Sequence, residues 1–219
     1  MIGVQEDFHE RVSEIETYLK FIDDIDKKTI QLYMNGESAY NQSSTDDLLR
    51  TCKASAFLLM YNLIESTITN AIEAIFEELA SKNVSFDLCR MEIKKIVLNN
   101  LKNHQPNDIL LSINNLAVDV ISKTFKKEIV FSGNVDARKI KKVASDYGFL
   151  APNGDGRDLL TIKSSRNDLA HGSKSFSEVG RDYTMNSILE IKQKVIIYLE
   201  SMLQNVADYI NNKNYLISS

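Results

Sequence analysis

Phe57-Leu58-Leu59-Met60-Tyr61-Asn62-Leu63-Ile64 lies at the heart of the most apolar part of the chain, and it decides the fold. Continued through Ile68, Ile72 and Ile75 to about Leu79, its apolar positions recur at helical spacing and cover more than one face. A helix with so wide an apolar surface must be covered on several sides. It is expected at the centre of a helical bundle or at a dimer face. Asp46 and Asp47 suit its first turn, and Ser44 or Thr45 supplies a cap.

The flanking sequence repeats the helical theme. Phe8, Val12, Ile15, Leu19 and Ile22 alternate at spacings of four and three, predicting an amphipathic helix from about Gln5 to Met34, stopped by Asn35-Gly36. Further helices are expected over Asp87 to Lys102 and over about Asn107 to Phe125, the latter just after Pro106. Glu128 to Asn134 reads as a short extended segment, and Val135 to Tyr147 as helix again. Gly148, Pro152, Gly154 and Gly156 make a breaker-rich loop before a helix from Arg157 to Ala170. Gly172 to Asp182 reads as a polar connection, and Met185 to about Asn211 as the last helix. The expectation is an all-α bundle over residues 1–219, with about 83–156 as an inserted middle region.

Composition sets limits on function. The longest apolar run is far short of the roughly 20 residues that cross a bilayer. The first residues carry acid where a signal peptide carries base, so no membrane partner and a cytoplasmic location are expected. Cys52 and Cys89 lack metal-ligand spacing and read as reduced thiols, while His9 and His104 have no acidic or cysteine company. No cofactor is called for. A net charge of −4, from 26 basic and 30 acidic residues, argues against a protein that simply coats nucleic acid. Gly154-Asp155-Gly156 has no following Gly-Lys-Ser/Thr and reads as a loop, not a phosphate cradle.

The chemistry concentrates in Arg166-Asn167-Asp168-Leu169-Ala170-His171-Gly172. Positions five apart on a helix project within about 140° of each other, at a rise of about 1.5 Å per residue. The two side chains can converge on one phosphate-sized group if the helix ends at Gly172. A permanently charged donor fork beside an imidazole is minimal equipment for metal-free phosphodiester cleavage. His171 would move a proton to or from a ribose 2′-hydroxyl, while Arg166 holds the phosphate. The plainer reading, a histidine closing a helix C-terminus, fits the spacing equally well.

Together these residues resemble the HEPN ribonucleases, in particular the stand-alone bacterial members of defence and toxin loci. The resemblance extends to Tyr61-Asn62-Leu63-Ile64-Glu65-Ser66-Thr67, to Phe131-Ser132-Gly133-Asn134-Val135-Asp136-Ala137-Arg138, and to Tyr147-Gly148-Phe149. It implies a helical bundle that dimerises, with two motifs facing one shared cleft. It implies Arg166 and His171 as the catalytic pair and Asn167 as the variable polar position. The expected activity is a metal-independent endoribonuclease that leaves a 2′,3′-cyclic phosphate, in a toxin–antitoxin or anti-phage system. RNA, a second copy of the chain and an antitoxin or defence-system protein are the implied partners. The family also holds members that bind without cutting, so the alternative is a non-catalytic helical module partnering a nucleotidyltransferase or another defence protein.

Further residues are candidates for support. Asn62 and Glu65 lie three apart in the apolar helix, and with Asp168 they are candidates to orient the pair. A helix–helix salt bridge unrelated to catalysis accounts for Glu65 as well. Arg138, Lys139, Lys141, Lys142, Lys163 and Lys174 are candidates for RNA contact, or simply solvated helix faces. Tyr147, Phe149 and Phe176 are the nearby rings on which bases would stack.

Overall fold

The computed structural model describes residues 1–30, 42–102, 116–125 and 134–217. Eight α-helices lie among them: α1 (Ile2–Asp26), α2 (Gln42–Ser81), α3 (Met91–Lys102), α4 (Leu116–Thr124), α5 (Ala137–Tyr147), α6 (Arg157–Ala170), α7 (Phe176–Arg181) and α8 (Met185–Asn211). A single 3₁₀ turn, Phe86–Leu88, precedes α3. No strand occurs among the described residues, only a bridge between Cys89 and Leu216. The architecture is all-α, as the periodicity predicts.

Several boundaries differ from the sequence expectation. The first helix ends at Asp26, where Lys28 takes a positive φ, rather than near Met34. The second begins at Gln42, so residues 44 and 45 fall inside its first turn. The third begins at Met91, because residues 86–88 wind more tightly. Asn35-Gly36, Pro106, His104 and the 128–133 part of the expected extended segment lie outside the described residues, as does the stretch before Leu116. Residues 172–182 are not merely a connection: α7 forms within them. Ser175 accepts from the Glu178 amide, and the Glu178 carboxylate accepts from the Ser175 amide, so two otherwise orphaned donors are satisfied.

The chain divides into two compact units. Unit I comprises Met1–Gln5, Glu65–Asp155 and Tyr198–Ser219, and unit II comprises Glu6–Ile64 and Gly156–Ile197. Both α2 and α8 run from one into the other.

In unit I, Ile68, Ile72, Ile75 and Leu79 of α2 are buried with Ile140 and Ala144 of α5 and Leu199, Leu203 and Val206 of α8. Arg90 fastens the far end of this core. Its guanidinium donates to the Gly148 carbonyl (2.8 Å) and the Asn214 carbonyl (3.2 Å), and it forks onto both oxygens of Glu92. Asn205 donates to the carbonyls of Leu150 and Ala151, tying the breaker-rich loop to α8.

In unit II, Phe8, Ile15, Leu19 and Ile22 of α1 are buried with Phe57, Met60, Tyr61 and Ile64 of α2. Leu159 and Ile162 of α6, Val179 of α7 and Ile188 and Val195 of α8 complete the core. Helix α7 comes so near α2 that a β-carbon on Gly180 would lie 1.8 Å from the Arg50 carbonyl oxygen. No helix among the described residues is long and apolar enough to cross a membrane.

Candidate active site

Helix α6 spans the range its flanking glycines predict, and its C-terminal end builds the site. His171 is the C-cap, with φ −92° and ψ −1°. Gly172 follows in the left-handed region at φ +67°. The Ser173 amide donates to the Asp168 carbonyl (2.9 Å) and the Gly172 amide to the Leu169 carbonyl (3.3 Å). This is the Schellman arrangement, which satisfies carbonyls the helix end would leave bare. Asp168 thus takes part in the site through its backbone. The helix stops before Gly172, as that glycine predicts.

Arg166 is half-buried and sits about one turn inside this terminus. Its Nη1 donates to Asn167 Oδ1 at 3.1 Å. Its Cζ lies 4.8 Å from the centroid of the Tyr61 ring, a cation–π distance, and Tyr61 is only 1% exposed. Among the described residues, neither a carboxylate nor any other acceptor takes up Nε or Nη2. A partly buried guanidinium with no anionic partner is an open seat for an oxyanion. His171 is exposed, and no hydrogen-bond partner for its imidazole occurs among the described residues.

Tyr61 carries a resemblance to the family in the sequence, but its contact with Arg166 is not legible there. Phe57, one turn before it, packs against Tyr183, the rings tilted by 48° with centroids 4.6 Å apart. The Tyr183 hydroxyl lies 3.3 Å from Oγ of Ser165, the buried residue just before Arg166. Successive turns of α2 thereby support the backbone and the head group of the site.

The other candidates divide. Asn62, on unit II, is exposed, and Glu65, on unit I, is half-buried. Arg138, Lys139, Lys141 and Lys142 share the exposed face of α5, whose opposite face buries Ile140, Val143 and Ala144. Asp136 caps that helix by accepting from the Lys139 amide at 3.0 Å. Lys141 reaches the Gly154 carbonyl (3.0 Å), Lys142 pairs with Asp146 (2.7 Å), and Arg138 stays 86% exposed, 3.7 Å from Asp136. Lys163 and Lys174 belong to unit II, where Lys174 pairs with Asp182 at 2.9 Å. Exposed pairs of this kind are worth little and yield readily to a phosphate. Tyr147 and Phe149 are not stacking surfaces. Both are buried in the unit I core, where the Tyr147 carbonyl accepts from Tyr209 and the Phe149 ring meets the Tyr209 ring edge-on. Phe176, 37% exposed, is the one of the three that a base can reach.

Both cysteines are free thiols, and burial pushes Cys89 up to about 11, the opposite of a reactive thiolate. Among the described residues, no group of three or more His, Cys, Asp or Glu is gathered where it could hold a metal ion.

The profile of the MAE_28990-like HEPN family matches residues 3–215. No curated protein and no solved structure is significantly similar to the chain.

Proposed function

The chain belongs to the HEPN family, and on that premise we propose that it is an endoribonuclease acting through Arg166 and His171. The observation that carries the reading is the Arg166 guanidinium, half-buried beside Tyr61 with Nε and Nη2 unclaimed among the described residues. The ribose 2′-oxygen attacks the adjacent phosphorus, the bond to the 5′-oxygen breaks, and the products are a 2′,3′-cyclic phosphate and a 5′-hydroxyl. His171 takes the 2′-proton or returns one to the leaving oxygen, since an imidazole can both accept and donate a proton. Arg166 neutralises the charge that builds on the non-bridging oxygens. The nucleophile belongs to the RNA, so the reaction requires no metal, and DNA is not a substrate.

Two copies of the chain facing one cleft would give one imidazole for each proton transfer. They would also concentrate positive field in a protein whose net charge is −4. The exposed cations of α5 on unit I, and separately Lys163 and Lys174 on unit II, are contacts for RNA phosphates. The same reading sets the enzyme in a toxin–antitoxin or anti-phage system within the cytoplasm, with an antitoxin or defence-system protein as partner. One observation favours the non-catalytic alternative: among the described residues, nothing hydrogen-bonds the imidazole of His171 to fix its tautomer.

The deciding experiment incubates purified wild-type and His171→Ala protein with total RNA in EDTA and characterises the ends. The expected result is cutting by the wild type alone, with 2′,3′-cyclic phosphate termini. Intact RNA from a folded wild-type dimer overturns the nuclease reading in favour of the binding module.

A further inference from the structure

The geometry points to Tyr61 as a positioning residue that holds the Arg166 guanidinium while leaving its donors to the substrate. This deepens the proposed cleavage and rests on Arg166 being its phosphate-binding group. A half-buried cation needs compensation, since removing charge from water is costly. The usual solution is a carboxylate, which would occupy the fork bidentately and cancel the charge. Here the compensation comes from a ring face instead, with Arg166 Cζ 4.8 Å from the Tyr61 centroid. A π face attracts the cation electrostatically without accepting the in-plane N–H bonds that a phosphate would use. Among the described residues only Nη1 is spent, on Asn167.

The ring is itself fixed. Tyr61 is 1% exposed, and Phe57, Tyr183 and Ser165 hold the adjoining backbone of α6 to the same helix. A ring free to swing would orient nothing. This one is buried in the unit II core, so the position of the guanidinium head over it is set with it.

Tyr61→Phe keeps the ring and Tyr61→Leu removes it. Three readouts are compared after thermal melting has shown both variants folded: the Arg166 Nε–H NMR signal, its response to inorganic phosphate, and RNA cleavage under saturating substrate. In the wild type and Tyr61→Phe the signal is expected to lie upfield, from the ring above it, and to move on phosphate addition. In Tyr61→Leu the upfield shift disappears, phosphate binding weakens, and kcat falls about 10-fold with KM changed much less. An unchanged phosphate response in folded Tyr61→Leu overturns the inference, whatever the RNA assay gives. Should Tyr61→Leu instead fail to fold, a normal signal and response in Tyr61→Met, a flexible apolar replacement, would overturn it equally. A wild type that cuts nothing yet loses its phosphate response in Tyr61→Leu sinks the nuclease reading and leaves the seat standing.

Discussion

The Ser173 amide donates to the Asp168 carbonyl across the end of α6, and between them His171 and Gly172 make the turn. The bond holds only while Gly172 keeps its φ of +67°. A β-carbon there would meet nothing within 4 Å, so the whole effect of Gly172→Ala is conformational. It should cost about 1–2 kcal/mol in urea unfolding and displace His171. Gly172→Asn should recover part of that stability, because asparagine tolerates the left-handed region better. Equal destabilisation by alanine and asparagine would contradict a conformational origin.

Arg166→Lys should leave the fold intact and remove most cleavage. A lysine ammonium retains the charge but loses the planar fork, and its compact, hydrated head stacks less well on Tyr61. We expect a fall of at least about 100-fold in kcat/KM, since mutation of a charge-stabilising donor commonly costs this much. Steady-state cleavage beside a melting curve is the check, and near-normal activity would refute the role.

Gly180→Ala tests a different part of the packing. The added carbon would lie 1.8 Å from the Arg50 carbonyl oxygen, a backbone atom that cannot swing aside. Helix α7 must therefore withdraw from α2, at a cost of about 1–3 kcal/mol or more. Gly3→Ala, in open space on α1, should be neutral or slightly stabilising and serves as the control. Comparable melting temperatures for the two variants would mean that α7 does not pack against α2 at Gly180.

Such tertiary approaches lie beyond the reach of sequence patterns. The spans of α6 and α8 are legible because glycine flanks one and a long apolar stripe, from Ile188 through Val195 and Leu199 to Val206, marks the other. Helix α7 has six residues with only Val179 and Gly180 buried, too few to show a period. Its signal is the cap instead, Ser175 with Glu178 three residues later. Arg166 and His171 stand out by residue type and spacing, and the structure adds the helix end between them. The Tyr61 seat joins distant segments of the chain, and a tyrosine in an apolar helix looks like any other core residue. Tyr147 and Phe149 make the same point in reverse: they follow a basic cluster in sequence, yet pack inward.

Acid should loosen unit I through Arg90 and Glu92. The guanidinium's two hydrogen bonds, with the backbone and coulombic effects behind them, hold the Glu92 carboxyl below its ordinary 4.5. A depressed folded value contributes stability that is complete above about 4.5 and disappears as pH falls through the folded value. Wild type should therefore exceed Glu92→Gln in stability between pH 7 and 5, and the gap should narrow progressively as the pH falls below about 4.5. Both side chains are about one-third exposed, so the gap will be modest. Urea unfolding at three pH values measures it, and a gap that persists in acid would show that the charge pair is not its source.

The exposed cations of α5 make a quantitative prediction for RNA binding. On single-stranded RNA, each phosphate that a side chain no longer neutralises should flatten the slope of log K against log salt by about 0.7. The inactive His171→Ala protein allows this to be measured on uncut RNA. Replacing both Arg138 and Lys142 by glutamine should weaken binding and lower the slope by about 1.4. Both side chains are exposed, and their ties to Asp136 and Asp146 are surface pairs, so little stability is at stake. Replacing Lys20 and Lys82, also exposed but on other helices or turns, changes the net charge equally. If that control reduces the slope as much, RNA responds to overall charge alone and α5 is a solvated face. A reduction confined to the α5 variant places phosphates along that helix.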